Sequence, residues 1–498
     1  MVALVVGDPG IGKTRLMEEV LKPAELDGAT ILRGKSYELD DGLLYGALVE
    51  VMRQAISAPG FPGVSDVWLA ELARLLPELQ ERYPRIAPNG GEGAGNGRRR
   101  FYEAVAQVFE ALAFEAPVAC VLDDLHWADE ATLELLHYLS RRLCAVPVLF
   151  LAGLRPGQSS ESLLRLKKVL VEEHGGLEVT LGPLSRTDIH ALLGSLANGP
   201  TPPVELLQVV WERSQGNPFF ALATLEALER QGAAAVTGSG WSFDAGAADG
   251  LGEIPEPMQD LLDGWLGGLT DEHREVLEVG AVAGRAFPQL LFQEVLEVSS
   301  SRAVQALREL ERRRILRSRE RDGLTTWDFG HDRLREAVYR GIPEGRLAEL
   351  HGRVAGAGRV GSGPEAASLA RHYARAGDRE LAFRNALAGA EWARAVFAEA
   401  GEREMLRLAA EVAPGAEERQ EVLERLEVLS EGSPLAVPEG LSPEGHPPER
   451  LPPNRLRPRR SSWPWALVGA AAVVAVVATW VGVGSGAGSP TPGPAPLA

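Results

Sequence analysis

VALVVGDPGIGKT, residues 2–14, runs from an apolar, β-branched segment into the pattern GxxxxGKT and on into a helical stretch on which Leu16 and Val20 share a face. A strand, a glycine-rich turn and a helix in that order are what a phosphate-binding loop needs. The glycines let backbone N–H groups turn inward around a phosphate, the helix N-terminus adds its dipole, and Lys13 brings a mobile positive charge to the terminal phosphates. The Thr14 hydroxyl is placed to reach Mg²⁺. The candidate nucleotide-binding residues are therefore Gly7, Asp8, Pro9, Gly10, Ile11, Gly12, Lys13, Thr14 and Arg15. A glycine turn without nucleotide is the plain alternative.

Such a loop needs a second, acidic half. PVACVLDDLHWADEAT, residues 117–132, supplies an apolar strand that ends in two carboxylates. Asp123 is placed to hold the hydration shell of Mg²⁺, and Thr14 and Asp123 are the candidate metal residues. Asp124 falls nearer the γ-phosphate, where a carboxylate can orient or deprotonate the attacking water. Two aspartates at a strand end can also serve only to cap the next helix. Aspartate is shorter than the glutamate most phosphate-loop hydrolases carry at that position, so slow hydrolysis is expected.

Around these motifs, short apolar runs alternate with amphipathic ones, the pattern of a parallel sheet covered by helices: an α/β phosphate-loop NTPase fold. The expected strands are Val2 to Val6, Thr30 to Arg33, Val118 to Leu122, Val148 to Ala152 and Leu177 to Leu181. The glycine-rich PNGGEGAGNGRRR, residues 88–100, reads as a loop between two helices, with its arginines solvated. The expected domains are an ATPase core over 1–183, a helical lid over 184–247, a winged-helix-like domain over 248–345 and an α-helical, TPR-like region over 346–432. The winged-helix reading rests on helical patterns followed by two strand-like pieces around the turn dipeptide Asp322-Gly323. In the helical region Ala382, Ala386, Ala390 and Ala393 share one face, small enough for helices to pack closely.

The chain has 498 residues, 45% of them apolar, which excludes a single small module and wholesale disorder. Its net charge of −18 argues against nucleic acid held by bulk charge. Two cysteines, Cys120 and Cys144, without paired spacing point to a reducing compartment, and Met1 leads directly into VALVV with no signal-peptide pattern. Residues 433–462 are so rich in proline that a solvated linker is expected. Trp463 to Val483 then forms an uncharged run of about the 20 residues that cross a bilayer as a helix. Arg455, Arg457, Arg459 and Arg460 precede it, so a single-pass membrane anchor is expected, with the N-terminal body in the cytoplasm and a disordered tail over 484–498. A buried helix of the folded body is the alternative reading of that run.

GDPGIGKT, LDDLHWADEAT, LAGLRP, LGPLS and SQGNPFF, in this order, resemble the Orc-like AAA ATPase domain of the STAND class, signal-transduction ATPases with numerous domains. The class includes large LuxR-type and SARP-type regulators and modules beside nucleotide cyclases. The resemblance is strong over roughly residues 1–230 and looser over 254–400. It implies an ATP/ADP switch with Mg²⁺ rather than a metabolic enzyme. By that likeness Arg155, after the strand VLFLAGL, is the sensor arginine that reads the γ-phosphate, and Lys13, Asp124 and Arg155 form the candidate catalytic set. The turn Gly216-Asn217-Pro218 matches the family's GxP turn, whose Pro218 packs on adenine. His331, in FGHDRLREAVY, matches a histidine that contacts the ADP β-phosphate; a plain packing histidine is the other reading. His126 and Trp127 match an HW pair with a positioning role. In relatives a helix and a glycine–arginine element precede the first strand and wall the adenine, whereas here Met1 opens the strand itself.

Together these readings describe an ATP-binding, slowly hydrolysing switch, with a protein partner on the helical region and homo-oligomerisation in the ATP state. A DNA-binding regulator of the same family and a nucleotide-insensitive helical-repeat scaffold are the alternatives.

Overall fold

The computed structural model describes residues 1–431, apart from 38–43, 87–93, 158–159, 174, 198–201, 238–239, 249–268, 285–286, 314, 322–323, 331 and 358–363. Five strands, β1 (Val2–Gly7), β2 (Thr30–Lys35), β3 (Val118–Asp123), β4 (Val148–Leu154) and β5 (Leu177–Leu181), form a parallel sheet of order β2-β3-β4-β1-β5. All five lie where the apolar runs place them. Every residue of β1 and β3 is buried, because a parallel sheet is covered on both faces and its strands carry apolar side chains on each. Ala3 and Val5 face helix α1 (Lys13–Leu26), packing with Leu16, Met17, Val20 and Leu21. Val2, Leu4 and Val6 belong to the larger core on the other side, built with helices α2 (Gly46–Ala55), α5 (Ala94–Glu115) and α6 (Glu130–Arg142). Between α2 and α5 lie α3 (Asp66–Leu72) and α4 (Glu78–Arg82).

The stretch expected to be a loop up to Arg100 becomes helical at Ala94. Arg99 is exposed, as expected, but its two neighbours are tied down: Arg98 pairs with Glu134 at 3.6 Å, and Arg100 and Arg74 clamp the buried Glu71 carboxylate at 3.1 and 3.0 Å. Glycine's poor helix propensity is overridden by packing, since a Cβ on Gly97 would collide with the Phe397 ring.

After α7 (Glu161–Lys168) and β5, helices α8 (Arg186–Leu196), α9 (Val204–Ser214) and α10 (Pro218–Arg230) make a small helical unit. The stretch after it folds in part into a hairpin of β6 (Ala234–Thr237) and β7 (Gly240–Phe243) on that unit, with Trp241 Nε1 donating to the Leu193 carbonyl at 2.7 Å. A further core is built from the Asp271–Ala283 helix, strand β8 (Phe287–Pro288), the Gln289–Leu296 and Ser300–Arg312 helices and strands β9 (Leu316–Arg321) and β10 (Leu324–Phe329), paired in the order β8-β10-β9. This core runs on through the Asp332–Gly341 and Glu344–Ala357 helices, past the boundary expected at 345, because Leu334, Val338, Leu350 and Val354 pack into it.

The Pro364–Ala376, Arg379–Ala395, Glu399–Val412 and Ala416–Glu431 helices follow, and the four alanines of the predicted small-residue face are fully buried. This array does not hang free of the sheet. Trp392, Ala393, Val396 and Ala398 join the main core, Trp392 Nε1 donates to the Arg74 carbonyl at 3.3 Å, and the Tyr45 hydroxyl donates to the Val396 carbonyl at 3.2 Å. The linker 433–462, the apolar run Trp463 to Val483 and the tail 484–498 lie outside the described residues. Among those described, no helix is long and apolar enough to cross a membrane.

Where the helical array meets the preceding core, Tyr339 Oη lies 2.9 Å from His351 Nε2, and His351 Nδ1 lies 2.8 Å from His372 Nδ1. Burial pushes the His351 pKa down to about 3, helped by His372 and Arg375. The unfolded chain protonates this ring near its ordinary value of 6.5 while the fold keeps it neutral. Below that pH the unfolded state binds more protons, so this group's stabilisation is lost progressively as pH falls from about 6.5 toward 3. The melting temperature should therefore fall between pH 7.5 and 5, and His351→Gln should flatten the slope. An unchanged slope in the variant would contradict this account of His351.

Candidate nucleotide-binding site

Gly10 (φ 78°) and Gly12 (φ 104°) both sit in the left-handed region, which is how the loop turns back on itself before α1 begins at Lys13. No described side chain caps the start of α1, so its first-turn N–H groups are open to an anion. Ile11 is buried and anchors the loop, with its N–H donating to the Asp8 carbonyl at 3.2 Å. The Lys13 ammonium arches back and donates to the carbonyls of Gly7 at 2.8 Å and Asp8 at 3.2 Å. Burial lowers its pKa, and Asp124, Asp123 and Asp8 oppose that shift while Arg155 adds to it. The Arg15 side chain departs from the loop: it is two-thirds exposed and pairs with Glu19 at 2.5 Å.

Thr14 Oγ1 donates to Asp123 Oδ2 at 2.7 Å, and Asp123 Oδ1 accepts the Asp124 N–H at 3.0 Å. The two motifs, 109 residues apart, thus meet through one carboxylate. A Cβ on Gly153 of β4 would lie 2.6 Å from Asp123 Oδ1, so the neighbouring strand must be bare there. A hydroxyl and a carboxylate are hard oxygen donors of the kind Mg²⁺ takes alongside phosphate and water oxygens. The residues fit that ion. No group of three or more His, Cys, Asp or Glu side chains that could hold a metal occurs among the described residues.

Asp124 adopts φ 51°, and its buried carboxylate is surrounded by an ammonium, a guanidinium and an imidazole. Lys35 Nζ lies 3.5 Å from Oδ2, while Arg155 Nε and His126 Nε2 lie 3.7 and 3.9 Å from Oδ1. His126 is buried beside Trp127, with ring centroids 5.0 Å apart. Arg155, just beyond β4, also has Nη1 3.9 Å from Glu336 Oε1 on the Asp332–Gly341 helix.

At the loop's other shoulder sits the N-terminus of α10. Asn217 caps that helix, accepting the Phe219 N–H at 3.0 Å, and its Nδ2 donates to the Pro9 carbonyl at 3.0 Å. The Phe219 N–H also reaches the Gly10 carbonyl at 3.3 Å. Pro218 lies between these contacts as the first helical residue, where its missing N–H costs nothing. His331 lies outside the described residues.

Residues 1–151 match the family model of the AAA ATPase domain. This segment is an AAA ATPase domain. Over 405 aligned residues the chain is 23% identical to the uncharacterized protein R02095 of Rhizobium meliloti (strain 1021), an alignment covering 76% of this chain and 37% of that one. The chain thus spans a little over a third of the length of that curated relative. Among solved structures, a Signal Transduction ATPase with Numerous Domains carrying a tetratricopeptide repeat sensor, from Pyrococcus horikoshii, aligns at 13% identity and TM-score 0.41 over 86% of this chain and 62% of that one. The ORC1 protein of Aeropyrum pernix, solved in complex with DNA, aligns at 16% identity and TM-score 0.30 over 68% and 86%.

Three side chains at the AAA site escape the sequence reading. Lys35 is opposite Asp123 in the β2–β3 register, but the apolar pattern of β2 ends at Arg33, two residues short. Asn217 lies inside a turn whose family likeness points to its proline instead. Glu336 reaches Arg155 from 181 residues away along the chain, and no local pattern signals such a contact.

Proposed function

We propose that the chain is an ATP- and ADP-binding switch of the STAND type, slowly hydrolysing, in which occupancy of the AAA site sets the placement of the units that follow it. The observation that carries this reading is the meeting of three units at one phosphate loop. The AAA domain contributes Lys13, Asp123, Asp124 and Arg155; the start of α10 holds the Pro9 carbonyl through Asn217 and the Gly10 carbonyl through the Phe219 N–H; and Glu336 approaches Arg155 from the C-terminal side. A ligand that draws Arg155 toward a phosphate competes with Glu336 for it, so a change at the site is felt by the later unit.

In this reading the backbone N–H groups of 8–14 and Lys13 hold the phosphates, Thr14 and Asp123 hold Mg²⁺, and Asp124 orients the attacking water. Arg155 reads the γ-phosphate, Pro218 lies toward the adenine, and His331 faces the β-phosphate in the ADP state. When bound, Mg²⁺ screens phosphate charge and orders the terminal oxygens. The unit from Asp271 to Phe329 has the element order of a winged helix, and we read it as one. The stacked helices over 364–431 offer a protein partner a surface, and self-association in the ATP state is part of the proposal. Saturable, Mg²⁺-dependent binding of ATP and ADP by the folded chain is the test; absence of binding would overturn the reading.

We further propose that Trp463 to Val483 anchors the protein in a membrane with the AAA domain in the cytoplasm. The support is its sequence alone: about one bilayer's length of uncharged residues flanked by tryptophans and preceded by arginines. After alkaline carbonate washing the full chain should stay with the membrane pellet; complete release into the supernatant would overturn the anchor.

A further inference from the structure

We propose that Arg335 is a phosphate-reading residue, supplied to the AAA site by the C-terminal unit, which engages the terminal phosphate of a bound nucleoside triphosphate. The proposal rests on the nucleotide reading above and extends it to a residue outside the AAA domain. Arg335 lies on the Asp332–Gly341 helix and is 5% exposed, yet its Nε and Nη2 have no hydrogen-bond partner among the described residues. A buried guanidinium with open donors is costly, and buried polar groups of folded proteins are nearly always satisfied. An anion that enters the site is the natural source of the missing acceptors.

The surroundings say which anion. The guanidinium carbon lies 5.8 Å from the centroid of the Tyr37 ring, and Lys35 Nζ lies 5.0 Å from that same centroid. Lys35 also stands 3.5 Å from Asp124 Oδ2. The next residue along the helix, Glu336, reaches Arg155 at 3.9 Å. Arg335 therefore belongs to the Asp124 and Arg155 side of the phosphate loop, where the terminal phosphate falls, and not to the Pro9 and Gly10 side that α10 covers. Tyr37 is itself held, its hydroxyl donating to Asp328 Oδ2 of β10 at 3.4 Å, so the aromatic surface beside the guanidinium is fixed from the C-terminal unit as well. A planar guanidinium offers phosphate a two-pronged set of donors that a lysine cannot match. ADP has no terminal phosphate at this position, so Arg335 ties the C-terminal unit to the triphosphate state.

The test titrates the full chain with Mg²⁺·ATP and Mg²⁺·ADP, comparing wild type, Arg335→Met and Arg335→Lys, with Lys13→Ala alongside. Arg335→Met should weaken ATP about 10- to 100-fold and leave ADP within about threefold, as expected for loss of a charge-assisted pair. Its nucleotide-free melting temperature should rise, because an unsatisfied cation is replaced by an apolar chain of similar shape. Arg335→Lys should recover part of the preference for ATP. A lower melting temperature with equal loss of both nucleotides would make Arg335 structural and overturn the proposal, and so would unchanged ATP affinity. Should Arg335→Met not fold, hydrogen exchange in wild type decides: ATP must slow exchange in residues 332–341 more than ADP does, and equal effects overturn the proposal. Wild type that binds neither nucleotide removes the nucleotide reading and the proposal together, whereas Lys13-dependent ATP binding that ignores Arg335 removes the proposal alone.

Discussion

Replacing Lys13 by alanine should weaken ATP binding by about a hundredfold or more, equivalent to about 2.7 kcal/mol. The ammonium sits at the mouth of α1, donates to the Gly7 and Asp8 carbonyls, and is 7% exposed, so it meets a phosphate with little water to screen it. At an effective dielectric near 20, a unit charge about 4 Å from another interacts by about 4 kcal/mol, and part of that is offset by desolvation of the phosphate. Burial already draws the Lys13 pKa down, against the pull of Asp124, so an arriving polyanion favours the charged form further. Isothermal titration of wild type and Lys13→Ala with Mg²⁺·ATP measures the loss. Equal affinities would mean that the loop folds as observed but does not bind phosphate.

Asp124→Asn should keep ATP binding within a few-fold of wild type and lower turnover by about 10²- to 10⁴-fold, the range for removal of a general base. Asparagine is nearly the same size and tolerates the left-handed φ of 51° that this position adopts, so the backbone after β3 has no reason to move. What disappears is the negative charge facing Lys35, Arg155 and His126, and with it the acceptor for a water proton. Phosphate release under single-turnover conditions reads the effect. Unchanged turnover would assign Asp124 a purely structural part at the strand end.

Much of the site is legible in the amino-acid sequence because its parts are local. A parallel strand covered on both faces must be apolar along its whole length, which makes β1 and β3 visible, and a phosphate loop must follow its strand directly. Glycines and aspartates at fixed offsets then locate Gly10, Gly12, Asp123 and Asp124. The features that local patterns do not show depend on distant packing. The glycine-rich start of α5 is helical because Gly97 lies against Phe397, some 300 residues on. The β6–β7 hairpin and the two-residue β8 are too short to show a period. Docking of the Arg379–Ala395 helix on the main core rests on Trp392 and its neighbours, in a helix that otherwise looks like one more member of an alanine-rich stack. Arg335 and Glu336 read as ordinary polar positions of an amphipathic helix until the fold sets them beside Tyr37 and Arg155.

The central claim is that this AAA domain is a working nucleotide site to which the later units respond. Titration of the folded full chain with ATP and with ADP, each with and without Mg²⁺, tests it most directly. Saturable binding at one site per chain, strengthened by Mg²⁺ and lost in Lys13→Ala, is the expected result. Absence of binding by wild type that circular dichroism shows to be folded would contradict it and favour a scaffold that keeps the fold without the ligand.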